Sequence, residues 1–365
     1  MFDIIKCIMD IKEYEIDDSI VSVCRAYYDV NVNSVDIRKI YGTKKKIISR
    51  LLYLARWFNR YSNNNFNNCF FEPNEVFGSI NNILYDSSFK FQNIQMCDEY
   101  LINKPYDYKK TNENHVFCNH ANKTLGGGIF TFGFCQEEQM ILQSSVMFYL
   151  FSKHFYNEDP YGLLNTNLEL SPLLIKTKIF VNQNNDIGIY AREGLHKIKQ
   201  NNKILNEFYK KHDHPVNIFM LAKAIPDISK SSYKEYFNDD KLIDWVFKYS
   251  VSCYLMTLGI LNSNKNIQVI HIHDGNWGCG VYGHNMNTIY VILTLAIRVA
   301  IQMMGNKLTK KVQYYYHTYN DKNLSIINDC AYQFIKSVNK LQIKDILNII
   351  RDFHNDDIEL WSKKL

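Results

Sequence analysis

Beyond residue 113 the sequence alternates short runs of β-branched and aromatic residues with longer stretches whose apolar residues recur every three or four positions, and this alternation most constrains the fold. Strands are expected at 115–118, 173–181, 216–222, 269–273 and 312–318, and helices at 136–152, 240–261, 287–304, 323–341 and 344–361. Strands alternating with amphipathic helices build an α/β sheet covered by helices on both faces. Ahead of this texture, SIVSVCRAYY and KKIISRLLYLARWFNRY have helical spacing, and the polar insert SNNNFNN at 62–68 reads as a surface loop. The expected division is a helical accessory region over 1–112 and an α/β domain over 113–365. With 365 residues, 46% of them apolar, the chain can bury a sizeable core.

Two strand-to-helix junctions are rich in glycine. The first reads GGGIFTFGFCQEEQ over 126–139, between the expected strand HVFC and the expected helix QEEQMILQSSVMFYLF. Each glycine loses more backbone freedom on folding than any other residue, so three in a row weaken local structure unless something must approach that backbone closely. The second reads DGNWGCGVYG over 274–283, follows VIHIH, and has four glycines within nine residues. A tight turn explains one or two of these, not all four. Glycine-rich loops between a strand and a helix let backbone N–H groups and the helix N-terminus wrap phosphate oxygens. Neither loop is a Walker motif or a GxGxxG fingerprint, and two phosphate-competent loops on one sheet point to a nucleotide diphosphate. Taken alone, Glu137 and Glu138 on the first helical turn read as stabilisers of the helix dipole, worth about 0.3–1 kcal/mol.

Other features exclude function classes. The net charge of +5 arises from 42 basic and 37 acidic residues without a long basic arm, so direct nucleic-acid binding is not expected. Nine cysteines lie scattered without CxxC spacing, which argues against a disulfide framework and a structural zinc site. His212-Asp213-His214 and His271-Ile272-His273 have no third ligand at useful spacing, so they read as ordinary polar residues and no metal is expected. The N-terminus alternates apolar and charged residues rather than forming a signal peptide, and the apolar segment 288–304 contains Arg298 and falls short of a membrane span. A soluble intracellular protein, cytoplasmic or nuclear and monomeric, is the expectation.

Three stretches carry a resemblance. Asn119-His120-Ala121-Asn122 leads through Lys123-Thr124-Leu125 to GGG, a seven-residue spacer and QEE; GNWGCGVYG follows at 275–283; Tyr315-Tyr316-His317-Thr318-Tyr319-Asn320-Asp321 comes third. These are similar, in the same order, to the motifs of poly(ADP-ribose) glycohydrolases: Asp-Phe-Ala-Asn with GGG, seven residues and QEE, then GNWGCGAFGG, then Tyr-Phe-Thr-Phe-Gly-Asp. The similarity covers about residues 115–320 and implies a macrodomain-like mixed sheet sandwiched by helices, with an N-terminal helical extension.

The resemblance implies hydrolysis of the ribose–ribose O-glycosidic bond of poly(ADP-ribose), without a cofactor, and poly(ADP-ribose) or ADP-ribosylated proteins as partners. It makes Glu138 the general acid and then the base, with Glu137 beside it positioning the ribose; such an acid needs a raised pKa. It places Asn122 and Gly126, Gly127 and Gly128 at the terminal ribose, Gln136 beside the Glu pair, and Asn276, Gly278, Cys279, Gly280, Val281 and Tyr282 around the diphosphate. Tyr319 and Tyr190 stand as the adenine contacts. The chain departs from the family at Asn119, His120, His284 and Asn285, losing two carboxylates and gaining imidazoles. A hydrolase of another ADP-ribosyl substrate and a non-catalytic ADP-ribose-binding module are therefore the alternatives.

Overall fold

The computed structural model describes residues 70–71, 88–92, 97–104, 106–108, 111–126, 136–137, 140, 144, 167–170, 172–179, 216–230, 239–318 and 324–353. Seven strands lie among them: β1 Phe70–Phe71, β2 Cys97–Ile102, β3 His115–Ala121, β4 Leu173–Ile179, β5 Val216–Ala224, β6 Val269–Gly275 and β7 Lys311–His317. Four helices accompany them: α1 Asp239–Ser263, α2 Met286–Met304, α3 Leu324–Ser337 and α4 Ile343–Phe353. The strands form one sheet in the order β1-β4-β5-β3-β6-β7-β2. β3 is parallel to β5 and β6, β7 is parallel to β6 and β2, and β1 is antiparallel to β4, so the sheet is mixed, as expected. The chain divides into two compact units, one of Met1–Cys69, Thr124–Thr166 and Lys176–Asn217, the other of Phe70–Lys123, Asn167–Ile175 and Ile218–Leu365.

All five expected strands are present. β1 and β2 are additions: both lie in the segment expected to be helical, yet Phe70 and Phe71 pair with Ile175 and Leu174, and Cys97 to Ile102 pair in register with Val312 to His317. The expected helix at 136–152 is helical at Gln136, Glu137 and Met140, whereas Ser144 forms an antiparallel bridge with Ile179. Residues 1–69, on which the helical accessory reading mainly rests, lie outside the described residues.

The core follows from strand periodicity. Val116 and Cys118, Ile270 and Ile272, and Val312, Tyr314 and Tyr316 alternate onto one sheet face and join one buried cluster with α1 and α2. Each large apolar side chain buried this way contributes about 1.5–3 kcal/mol. Met286–Lys307 is apolar and long enough to cross a membrane by composition, but 78% of its apolar window is buried inside the fold, which makes α2 the central core helix. Asn285 caps it, accepting from the Thr288 N–H, and Gly305 ends it at φ 51°.

The opposite face of β3, β6 and β7 carries imidazoles. His115 Nδ1 lies 2.9 Å from His273 Nε2, His273 Nδ1 lies 3.0 Å from His317 Nε2, and His317 Nδ1 lies 3.0 Å from the Lys104 carbonyl. That carbonyl only accepts, so His317 carries its proton on Nδ1, and the same polarity runs back to His115 with all three rings neutral. Tyr106 and Phe117 pack on this row, and His271 stacks on His115 with ring centroids 4.2 Å apart. Burial lowers the pKa of His115 to about 4, assisted by His271. Burial also lowers His273 and His271, while in His317 it outweighs the raising effects of Lys104 and Asp274. Histidines kept neutral in the fold take up protons more readily when unfolded, so stability is complete above about pH 6.5 and is lost as pH falls towards the folded values. The thermal midpoint, followed by circular dichroism, is expected to fall by roughly 5 °C or more between pH 7 and pH 5.

Candidate functional site

β3 and β6 are parallel neighbours, so the segments that leave their carboxyl ends start side by side, the usual place for a ligand in an α/β sheet. The segment leaving β6 is the loop 275–283. Its internal backbone bonds run from Trp277 N to Gly275 O (2.7 Å), Cys279 N to Asn276 O (3.2 Å), Gly283 N to Gly280 O (3.1 Å) and His284 N to Gly278 O (3.2 Å). The N–H groups of Gly278, Gly280 and Val281 have no backbone acceptor among the described residues. The loop then enters α2 through its Asn285 cap. Three uncommitted donors ahead of a helix N-terminus suit an anion with several oxygens.

The side chains of this loop divide into anchors and presented groups. Trp277 is buried and stacks on Tyr249, with ring centroids 5.7 Å apart. Asn276 Oδ1 accepts from the Tyr316 hydroxyl at 3.0 Å, which leaves its amide N–H groups as the donors it offers a ligand. Val281 is 80% exposed at the tip, and Tyr282 is half-buried against the core. The Cys279 thiol, pushed up to about 12 by burial, stays protonated and donates to the Trp277 carbonyl at 3.5 Å, so it is no nucleophile. His284 is buried with Nε2 2.8 Å from the Pro226 carbonyl, so the proton sits on Nε2 and the ring braces the loop. The departures at His284 and Asn285 thus serve as a brace and a helix cap.

Beneath the loop lies a charge cluster, centred on the fully buried Asp274 and Lys223, that the sequence reading did not identify. Asp274 Oδ2 is 2.5 Å from Lys223 Nζ, 2.7 Å from the Tyr254 hydroxyl and 3.2 Å from Cys118 Sγ. Its Oδ1 accepts from His120 Nε2 at 3.0 Å and from the Gly275 N–H at 2.8 Å. The Lys223 ammonium also lies 4.4 Å from the Trp277 ring centroid. Burial alone would raise the Asp274 pKa; Lys223 and His120 outweigh it and hold the carboxyl well below the usual range. Burial opposes a charged Lys223 as well, but Asp274 keeps it protonated. His120 is pushed down by burial, which Asp274 only partly offsets, so a neutral ring donates to an ion pair. The imidazole at 120 therefore serves Asp274. Asn119, at the other departure, is buried with Nδ2 3.5 Å from Met220 Sδ.

The first glycine loop lies in the other unit. Gly126 has φ 105° and its N–H donates to Glu137 Oε1 at 2.9 Å, so a buried carboxylate closes the start of the loop onto the helix at Gln136. Gln136 Nε2 lies 2.6 Å from Met140 Sδ. Asn122 is exposed just beyond β3 and accepts the Lys123 N–H at 2.7 Å. Gly127, Gly128, Glu138, Tyr190 and Tyr319 lie outside the described residues. The structure thus joins Gly126 to Glu137, and gathers Asn276, Gly278, Cys279, Gly280, Val281 and Tyr282 in one loop. Among the described residues no group of three or more His, Cys, Asp or Glu could hold a metal ion.

No protein-family model and no curated protein matches the sequence. Solved structures do. The poly(ADP-ribose) glycohydrolase of Deinococcus radiodurans in complex with ADP-ribose is 10% identical, with 74% of this chain and 94% of that chain covered and a TM-score of 0.43. The poly(ADP-ribose) glycohydrolase of Thermomonospora curvata bound to the inhibitor ADP-HPD is also 10% identical, covering 74% of this chain and 83% of that one at a TM-score of 0.41. A further structure of the Thermomonospora curvata enzyme is 11% identical, covering 78% and 88% at 0.41.

Proposed function

We propose that this protein is a glycohydrolase that cleaves ribose–ribose O-glycosidic bonds of poly(ADP-ribose) and releases ADP-ribose. The observation that carries the reading is the loop 275–283, whose Gly278, Gly280 and Val281 N–H groups lack backbone acceptors among the described residues and precede the N-terminus of α2. A diphosphate needs such a cradle, and the sequence before it supplies what a binding loop alone does not: a glycine run followed at fixed spacing by Gln136, Glu137 and Glu138.

In this reading Asn276 and the loop backbone hold the diphosphate, while Asn122 and Gly126 to Gly128 meet the terminal ribose. Glu137, committed to the Gly126 N–H, fixes the glycine run. Glu138 protonates the departing ribose oxygen as the glycosidic bond breaks. The same carboxylate then takes a proton from the water that attacks the oxocarbenium-like carbon. Tyr190 and Tyr319 are the adenine contacts, and the location is intracellular.

The test is release of ADP-ribose from purified polymer by the intact protein and by Glu138→Gln. The variant is expected to lose about 10²–10⁴-fold in kcat while its ADP-ribose affinity, measured by calorimetry, stays within about threefold. Tight ADP-ribose binding without any release by the wild type would instead identify a reader of the modification. Absence of both would sink the reading.

A further inference from the structure

The Asp274 cluster joins segments that the proposed reaction needs in register. His120 is two residues before Asn122 on β3, and Asp274 is two residues before Asn276 on β6. Their side chains meet through a single hydrogen bond of 3.0 Å. Space around that bond is closed: a Cβ at Gly275 would sit 2.8 Å from the His317 carbonyl oxygen and 3.5 Å from His120 Cε1. The ends of β3, β6 and β7 therefore converge on Asp274 and Gly275, and the path of the loop is set where it leaves the sheet.

We propose that His120 is a positioning residue: by donating its Nε2 hydrogen to Asp274, it locks the end of β3, which carries Asn122, to the first residues of the loop that carries Asn276. Lys223 and Tyr254 hold the other carboxylate oxygen, so Asp274 cannot turn to follow a solvent donor, and the hydrogen bond has a fixed acceptor. A ribose-contacting group and a diphosphate-contacting group are thereby kept at a set separation. The functional half of this inference rests on the ADP-ribose reading; the mechanical half does not.

His120→Leu preserves most of the ring's volume and removes the donor, whereas His120→Gln keeps an N–H of similar reach. Peptide-level hydrogen exchange in the unliganded protein is expected to run about fivefold or more faster across 275–284 in His120→Leu, with α1 unchanged, and within about twofold of wild type in His120→Gln. ADP-ribose Kd should rise about tenfold in His120→Leu and recover to within about threefold in His120→Gln. A wild-type loop in His120→Leu, or an acceleration shared equally by α1 that Gln does not reverse, overturns the inference. If the wild type neither binds ADP-ribose nor releases it from polymer, the glycohydrolase reading falls while the exchange comparison still decides the hydrogen bond's role. If His120→Leu does not fold, His120→Ala and His120→Gln provide the same contrast: retained wild-type exchange in Ala overturns the inference, and Gln-reversible acceleration supports it.

Discussion

Lys223→Met is expected to destabilise the fold by about 3–5 kcal/mol, because it removes one partner of a buried ion pair and leaves the other. Lys223 and Asp274 are both wholly buried, and their contact is 2.5 Å. Without the ammonium, burial becomes the dominant influence on Asp274 and raises its pKa above the unfolded value. The sign of the pH dependence then reverses locally. In the wild type the depressed carboxyl contributes stability that is lost only as pH falls below about 4, whereas in the variant the raised carboxyl makes stability fall as pH rises through its folded pKa. Urea denaturation at pH 5 and pH 8 should therefore show a larger deficit for Lys223→Met at pH 8. Adding Asp274→Asn should recover much of the loss, since a neutral amide keeps an acceptor for His120 and needs no counter-charge. An equal deficit at both pH values with no recovery would mean that Lys223 acts through packing alone.

Much of this fold was legible because burial writes a period into the sequence. VIHIHDG and KVQYYYH alternate, and each puts one set of residues against α1 and α2. β2 was not legible. Its sequence, CDEYLI, mixes charged and apolar residues on both faces and lies at the sheet edge, where Arg298 from α2 meets Glu99 at 2.5 Å and Lys311 meets Asp98 at 2.5 Å. An edge strand stabilised by side-chain ion pairs has little hydrophobic period to read.

The site divides along similar lines. The glycines of the second loop announced a backbone task, and the structure places four internal backbone hydrogen bonds there. The ion pair beneath it was not announced, since Lys223 lies 51 positions before Asp274 and outside both glycine-rich stretches. One signal was available: Lys223 is the lone charge in VNIFMLAKA, a strand otherwise apolar enough to be buried, and a buried lysine requires a carboxylate. His284, read as a gained imidazole, and Asn285, read as a lost carboxylate, could be given their bracing and capping tasks only by three-dimensional partners, Pro226 and Thr288.

Gly278→Ala should separate loop geometry from loop composition. Gly278 has φ 72°, and a Cβ there would lie 2.6 Å from Ile225 Cγ2 and 2.7 Å from His284 Cδ2. The left-handed backbone costs an alanine about 1–2 kcal/mol before any contact is counted. His284 cannot retreat freely, because its ring is held on the Pro226 carbonyl, and Ile225 is buried in the core. The loop must therefore move, displacing the N–H groups of 278, 280 and 281. The expected result is a stability loss of about 2–4 kcal/mol by urea denaturation, and an ADP-ribose affinity at least about thirtyfold weaker. Gly280→Ala is the matched control: apart from its chain neighbours, no atom among the described residues lies within 4 Å of its Cβ position, so stability should change by less than about 1 kcal/mol. Equal tolerance at both positions would show that the loop adapts to added volume, and the proposed diphosphate cradle would then owe nothing to the backbone conformation at Gly278.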